Sequence, residues 1–330
     1  MKKKLKILSI FLAVFLLAAS PVFSQTIEEL QNAVNSFSDA MAKSLPFNST
    51  IGLNWSDAYI GQLLGVPPRF GVGMAVGATT LQLDAINDLL DVFDSVIDLP
   101  FNIGLPLPAY TVEARIGGII IPFDIGLKFG YLNTSNSALF DFMPFDVDYM
   151  LIGADFRYPL INNRLIRLSA GVGFNHLRGG ISTEIDIGNP SFTFQDLSNT
   201  TRTITMNNPD VGLSWQTNVV ELKAQASFIH FIITPYVGAG VSYAWSRAGY
   251  RVDANITGNV AEFQQVLNQL GITNFDPANG FESIIENNDW NARLFGGISF
   301  NLAVIRLDLT VMYNLRDNAV GATLGTRFQL

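Results

Sequence analysis

From Phe70 to Leu83 the chain reads FGVGMAVGATTLQL. Phe70, Val72, Met74, Val76 and Ala78 fall on one side of this stretch, and Gly71, Gly73, Ala75, Gly77 and Thr79 on the other. A repeat of two residues is the period of a β-strand, here one whose two faces meet different surroundings. The fold follows from whether this pattern recurs.

It does. Val112, Ala114, Ile116 and Gly118 alternate against Thr111, Glu113, Arg115 and Gly117. Ile125, Leu127, Phe129 and Tyr131 alternate against Asp124, Gly126, Lys128 and Gly130. Met150, Ile152, Ala154, Phe156 and Tyr158 oppose Leu151, Gly153, Asp155 and Arg157. Six further strands read at 165–177, 213–228, 232–248, 289–302, 304–315 and 319–330, which makes ten. Several reach the ~9–11 residues needed to cross a bilayer at a tilt. Short links at 121–122, 159–164, 229–231 and 303 alternate with long ones at 84–109, 133–146, 178–212 and 249–288. Short inner turns and long outer loops are the habit of a transmembrane β-barrel. Tyr131, Tyr149, Trp215, Tyr243, Trp245, Trp290 and Tyr313 fall near the long-loop ends, and Tyr158, Phe228, Tyr236, Phe300 and Phe328 near the short turns. Two aromatic girdles are expected at the two interfaces. The expected fold class is therefore all-β, an antiparallel membrane barrel of ten strands, or twelve if 49–62 supplies another pair.

The ends of the chain agree. Lys2, Lys3, Lys4 and Lys6 precede an apolar run from Ile7 to Ala19, and small or apolar residues lead up to Gln25. This reads as a secretory signal over 1–24, too short for a permanent spanning helix. Only 15% of the chain is charged while 48% is hydrophobic, against roughly 25% charged in a soluble domain. With no Cys, disulfide and zinc–thiolate chemistry are excluded. The last strand, TLGTRFQL, alternates to its final residue. In a closed barrel that strand pairs with the first and leaves no edge open to lipid. Gly325, Phe328 and Leu330 also resemble the C-terminal signal read by the outer-membrane barrel assembly machinery, an expected partner along with outer-membrane lipid and lipopolysaccharide.

The face turned from lipid carries eight bases, Arg115, Lys128, Arg157, Arg167, Lys223, Arg293, Arg306 and Arg327, and four acids, Glu113, Asp155, Glu221 and Asp308. The lumen is basic although the whole chain has a net charge of −8. Charges two apart, as in Glu113-x-Arg115 and Asp155-x-Arg157, share one face and reach cross-strand partners. The bland outcome is a ladder of ion pairs filling a narrow bore. The sharper one is an anion-preferring path ringed by Arg157, Arg167, Arg306 and Arg327.

Before the barrel (69–330), residues 25–68 have another character. Thr26 with Glu29 has capping-box spacing, and Ile27, Leu30, Val34, Phe37, Met41 and Leu45 recur at helical intervals. An apolar, glycine-rich stretch follows, with Asn54, Trp55, Ser56 and Asp57 at its centre and the strand-breaking pair Pro67-Pro68 at its end. It is suited to plug the lumen, or to supply the extra strand pair. Two outer loops carry helical patterns: Ile86, Leu89, Leu90, Phe93, Val96 and Ile97 in the first, and Val260, Phe263, Val266, Leu267 and Leu270 in the fourth. Such apolar faces either pack on the barrel rim or form a groove that captures a hydrophobic small molecule.

A signal peptide, a plug-like segment before the first strand, amphipathic loop helices and the terminal strand together resemble the FadL-type family of outer-membrane channels for long-chain fatty acids and other hydrophobic compounds. The family has fourteen strands where this chain reads ten, and Asn54-Trp55-Ser56-Asp57 stands nearest to the Asn-Pro-Ala of its hatch. The resemblance implies transport of a hydrophobic solute across the outer membrane of a diderm bacterium. The competing expectation is a barrel that displays acidic loops for structural or adhesive contact. An enzyme is not expected: His176 falls in the lipid-facing register and His230 in an inner turn, so neither is placed as a base beside a carboxylate. No metal or other cofactor is expected, and the acid excess argues against nucleic acid.

Overall fold

The computed structural model describes residues 24–81, 105–135, 146–184, 189, 191–208, 210–253, 256–269 and 281–330. Ten strands close into one antiparallel barrel. In chain order they are β1 (Phe70–Leu81), β2 (Leu105–Gly117), β3 (Asp124–Asn133), β4 (Asp146–Asn162), β5 (Ile166–Glu184), then, after β6 (Ser191–Gln195) and β7 (Thr201–Met206), β8 (Asp210–Phe228) and β9 (Ile233–Asp253). After β10 (Ile256–Gly258) come β11 (Phe281–Leu302), β12 (Ile305–Asn314) and β13 (Val320–Gln329). β13 closes the ring on β1 from Gly71↔Gln329 to Thr79↔Gly321. The first and last strands thereby satisfy each other's backbone groups.

The zigzag reading holds residue by residue. On β1, Val72, Met74 and Val76 are 50%, 60% and 57% exposed, while Gly71 and Thr79 are buried. Leu127, Val172, Leu222, Val241, Leu309 and Leu324 continue the same outward apolar band. A surface of that kind is stable only against hydrocarbon, so the ring is an outer-membrane-type barrel. Trp245, Trp290, Tyr131 and Tyr313 face outward at the long-loop end, and Tyr158, Phe228, Phe300 and Phe328 at the other. Tyr243 stacks edge-on against both Trp245 (4.9 Å) and Trp290 (5.3 Å).

Three aromatics assigned to the girdles turn inward instead. Tyr149 and Tyr236 are 8% and 4% exposed, and Trp215 packs against the interior cluster. Their odd or even register places them with the lumen set, and each finds an interior neighbour: Tyr149 stacks on Tyr110 at 5.5 Å, and Tyr236 bonds Thr310 at 2.5 Å. Nearness to a strand end sets an aromatic's depth, but register decides its face.

The barrel strands also run further than hydropathy indicates. β5, β8, β9 and β11 have 19 to 22 residues and stand beyond the outer girdle, shortening two of the long loops. What reads as loop there contains a small sheet, ordered β10-β7-β6. No strand forms at 49–62, so the count is ten and not twelve. That segment follows the helix α1 (Ser24–Asn48), which already includes Ser24 and so places Thr26 inside the helix and not at its cap. The second helix, α2 (Val260–Gln269), matches the pattern in the fourth loop. Residues 1–23 of the signal peptide expected over 1–24, the helical pattern expected in the first loop with Ile86, Leu89, Leu90, Phe93, Val96 and Ile97, and Leu270 all lie outside the described residues.

Leu324 sits at the middle of β13, opposite Val76 and Leu309, with its side chain in the apolar band. Leu324→Arg should destabilise the folded barrel in lipid vesicles by about 2–4 kcal/mol, read by urea unfolding. Leu324→Ile should leave it nearly unchanged. Equal stability of the two variants would mean that this face does not meet acyl chains.

Candidate functional site

The lumen is full. α1 and the segment after it run down the barrel axis, and their surroundings change from apolar to charged along the way. In the outer half, Phe37, Ala40, Met41, Leu45, Phe47 and Ile51 pack against inward-facing Leu81, Leu107, Leu151, Leu177, Phe295 and Met312. Leu107, Leu151, Leu177 and Met312 stand in the same register that carries charges deeper in the barrel. The helical spacing of the apolar set on α1 is therefore an internal core, with the strands supplying the other half.

At mid-depth the chain leaves the helix and the wall caps it. The Asn48 amide donates to Thr79 Oγ1 (3.0 Å) and to the Leu107 carbonyl (2.8 Å). The last carbonyls of the helix accept from Ser49, Thr50 and Ile51, and just beyond it Lys128 Nζ donates to the carbonyls of Ser49 and Ile51, both at 2.7 Å. Gly52 follows at φ +87°, a left-handed conformation, and a Cβ there would lie 2.6 Å from Thr111 Oγ1. That glycine lets the segment turn tightly under the helix.

Below this turn lies a charge network. Arg293 grips Glu221 through Nε and Nη2 (2.6 and 3.1 Å) and reaches Asn54 Oδ1 at 3.3 Å. Arg115 donates to Asp124 (2.5 Å) and to both oxygens of Asp155 (2.7 and 2.8 Å). Arg157 binds the same Asp124 through two bonds of 2.8 and 3.1 Å, and Lys223 the same Asp155 at 2.7 Å. Trp55 lies between two guanidiniums, with Arg327 4.8 Å and Arg115 5.6 Å from its ring, and donates to Glu113. The inner face of β1 explains the glycines of the opening stretch: a Cβ on Gly71 would come within 2.9 Å of the Trp55 ring.

Nearest the inner rim is Asp57, 2% exposed. It accepts from Arg306 (2.5 Å), Arg327 (3.1 Å), Arg167 (3.4 Å) and Gln329 (3.1 Å). Arg327 also pairs with Asp308 and bonds Ser56 Oγ at 2.9 Å. β5, β12 and β13 thus converge on one carboxylate of the plugging segment. The chain then leaves the bore: Pro67 and Pro68 are exposed at the rim, and Arg69 leads into β1.

All twelve charged residues expected in the lumen face inward, and ten of them join ion pairs; Glu113 instead accepts from Trp55 and Thr111, and Lys128 donates to backbone carbonyls. The charge balance needs correction, because Asp124 and Asp57 raise the acids from four to six. Asp124 begins β3 in the inward register, where alternation places it with Gly126 and Lys128; only the charge count omits it. The role of Asp57 was not legible, since its partners come from strands more than a hundred residues away. Of the proposed capture residues, Phe263 packs edge-on against Phe194 at 5.3 Å and joins Ile204, Ile256, Phe192 and Val260 in a small cluster between α2 and the outer sheet. Leu267 is partly buried on the same helix. In the β6–β7 turn the Thr200 amide, with Arg202, holds the Asp196 carboxyl below its usual range. His176 faces outward with Nδ1 2.8 Å from Asn218 Oδ1, and His230 stacks on Phe231 in an inner turn. Among the described residues no cluster of metal-ligating side chains occurs.

On the outside, an apolar groove of about 740 Å³ crosses β9, β11, β12, β13 and β1. Val237, Leu294, Val311 and Val320 form its lipid side, while Phe295 and Met312 of the interior cluster reach it where Gly296, Gly321 and Ala322 thin the wall.

No family model matches this chain, and no curated protein does. Among solved structures it is similar to the outer-membrane protease OmpT from Escherichia coli (9% identity, TM-score 0.38, covering 80% of this chain and 97% of that one). It is similar also to the translocator domain of the autotransporter NalP from Neisseria meningitidis (8%, 0.38, 90% and 99%) and to the toluene transporter TbuX of Ralstonia pickettii (10%, 0.25, 79% and 89%).

Asp124 neutralises two buried guanidiniums at once. Asp124→Ala should cost about 3–5 kcal/mol in urea unfolding, because Arg115 loses one of its two acids and Arg157 its only close one. Adding Arg157→Met should restore part of that loss. A single variant as stable as the parent would show that the lumen charges are solvated and not paired.

Proposed function

We propose that this protein is an outer-membrane conduit for a small hydrophobic solute, closed in the conformation described here by α1 and the segment after it. The observation that carries the reading is the apolar cluster in the outer half of the lumen, set among neutral polar side chains such as Thr79 and Thr217. Water-filled porins have polar bores, whereas here Leu81, Leu107, Leu151, Leu177, Phe295 and Met312 line the wall from which α1 would withdraw. A bore of that kind favours an apolar solute and repels ions. The wall groove beside Phe295 and Met312 supports the same reading, since it brings the lipid side close to this chamber. Displacement of the plug would begin where it is held by charge, at Asp57, because those bonds can be exchanged for bonds to water.

A second reading has its own support. α1 extends outward past the girdle, where Asn35 accepts from Ser283 at 3.2 Å near the outer end of β11, and a packed sheet with α2 is carried by the loops at the same end of the barrel. A filled barrel that holds such elements at the surface would serve contact and not passage.

Uptake of a fluorescent fatty acid into proteoliposomes separates the two. Wild type should exceed empty liposomes, and Asp57→Asn, which removes the charge that three arginines share, should raise the rate severalfold. Uptake at the empty-liposome level for both proteins would sink the conduit and leave the surface role.

A further inference from the structure

At the inner mouth, beside the Asp57 cluster, lies a cavity of about 180 Å³. Arg69, Arg167 and Arg306 line it, together with Thr234, Asn301 and Gln329. The charges around it do not cancel. Asp57 is the sole acid in its lining, and that carboxylate is already shared with Arg327. Arg69 makes no ion pair among the described residues, although it is only partly exposed. Arg167 and Arg306 each give Nη1 to Asp57, but the buried Nε of each has no partner among the described residues. Three cations crowded around one committed carboxylate repel one another, and a further anion would relieve that repulsion.

We propose that this cavity binds a small oxyanion of phosphate-like geometry, held by Arg69, Arg167 and Arg306. The volume suits it: one water's share of liquid is about 30 Å³, so a tetrahedral anion and a few waters fill the space. The Asn301 amide, which already donates to Thr234 Oγ1 at 2.9 Å, and the Gln329 amide add donors at the cavity wall. A long acyl chain does not fit, which separates this site from the apolar chamber above. The inference stands independently of the conduit reading.

The test uses the mature full chain in maltoside detergent, titrated calorimetrically with inorganic phosphate at constant ionic strength set by chloride. Saturable binding at one site is expected. Arg69→Gln, which touches none of the Asp57 bonds, should weaken it about tenfold, the loss of one charge-assisted contact, with an unfolding midpoint in chloride equal to wild type. Repeating the titration in phosphatidylglycerol nanodiscs identifies the source of the anion. Unchanged affinity there supports a soluble anion from the inner side, and loss only in nanodiscs supports the same site filled by a lipid phosphate. Absence of saturable binding in maltoside, or binding that Arg69→Gln leaves unaltered, overturns the proposal.

Discussion

A peptide amide inside a bilayer has no water to bond, and leaving it unpaired costs several kcal/mol. Every strand that crosses the bilayer must therefore have a neighbour on both sides, and the first of the ring must meet the last. The pairing of β1 with β13 meets that demand. From closure follow the two faces of each strand, one set by hydrocarbon and one by whatever the ring encloses. The alternation in FGVGMAVG is the local imprint of this division.

Closure creates a second problem. A ring of ten strands encloses a bore too narrow for bulk water yet too wide for its own side chains to fill everywhere. This chain fills it with its own preceding segment, and uses two kinds of contact to do so. The outer half is an ordinary apolar core, with a helix on one side and strands on the other. The inner half is a set of buried ion pairs. Such pairs add little net stability over apolar packing, because the desolvation of both partners offsets their attraction. What they supply is geometry: Asp57, Trp55 and Asn54 each have one arrangement of partners, which fixes the depth and rotation of the segment.

The barrel was legible because its signal is repetitive. Ten stretches with the same period, with loops of alternating length, leave little freedom for another fold. The inward direction of Arg115, Lys128, Asp155 and Arg327 was likewise fixed by period two. Which charge meets which was not, because register between neighbouring strands is set by packing and not by alternation; Arg115 pairs with Asp124 and Asp155, not with Glu113 two residues away. Tyr149, Trp215 and Tyr236 were misplaced through their depth, and β6, β7 and β10 were missed because strands of 5, 6 and 3 residues are too short for an alternation such as Phe192 and Phe194 to stand out. The spacing of apolar residues on α1 announced a helix, but nothing in it said that the buried partner would be the inside of a barrel.

The direction of α1 restricts how the bore could ever empty. Its C-terminal end is joined to β1 at the inner rim, while Ser24 lies about 16 Å along the helix beyond Asn35, on the outer side. The polypeptide is thus threaded through its own ring like a cord through a bead. Pulling the cord outward only draws the stretch between Asn48 and Phe70 taut across the opening, so the passage stays occupied. Retreat toward the inner compartment is the one movement that clears it, and the outer end of the helix must then travel through the whole length of the hole.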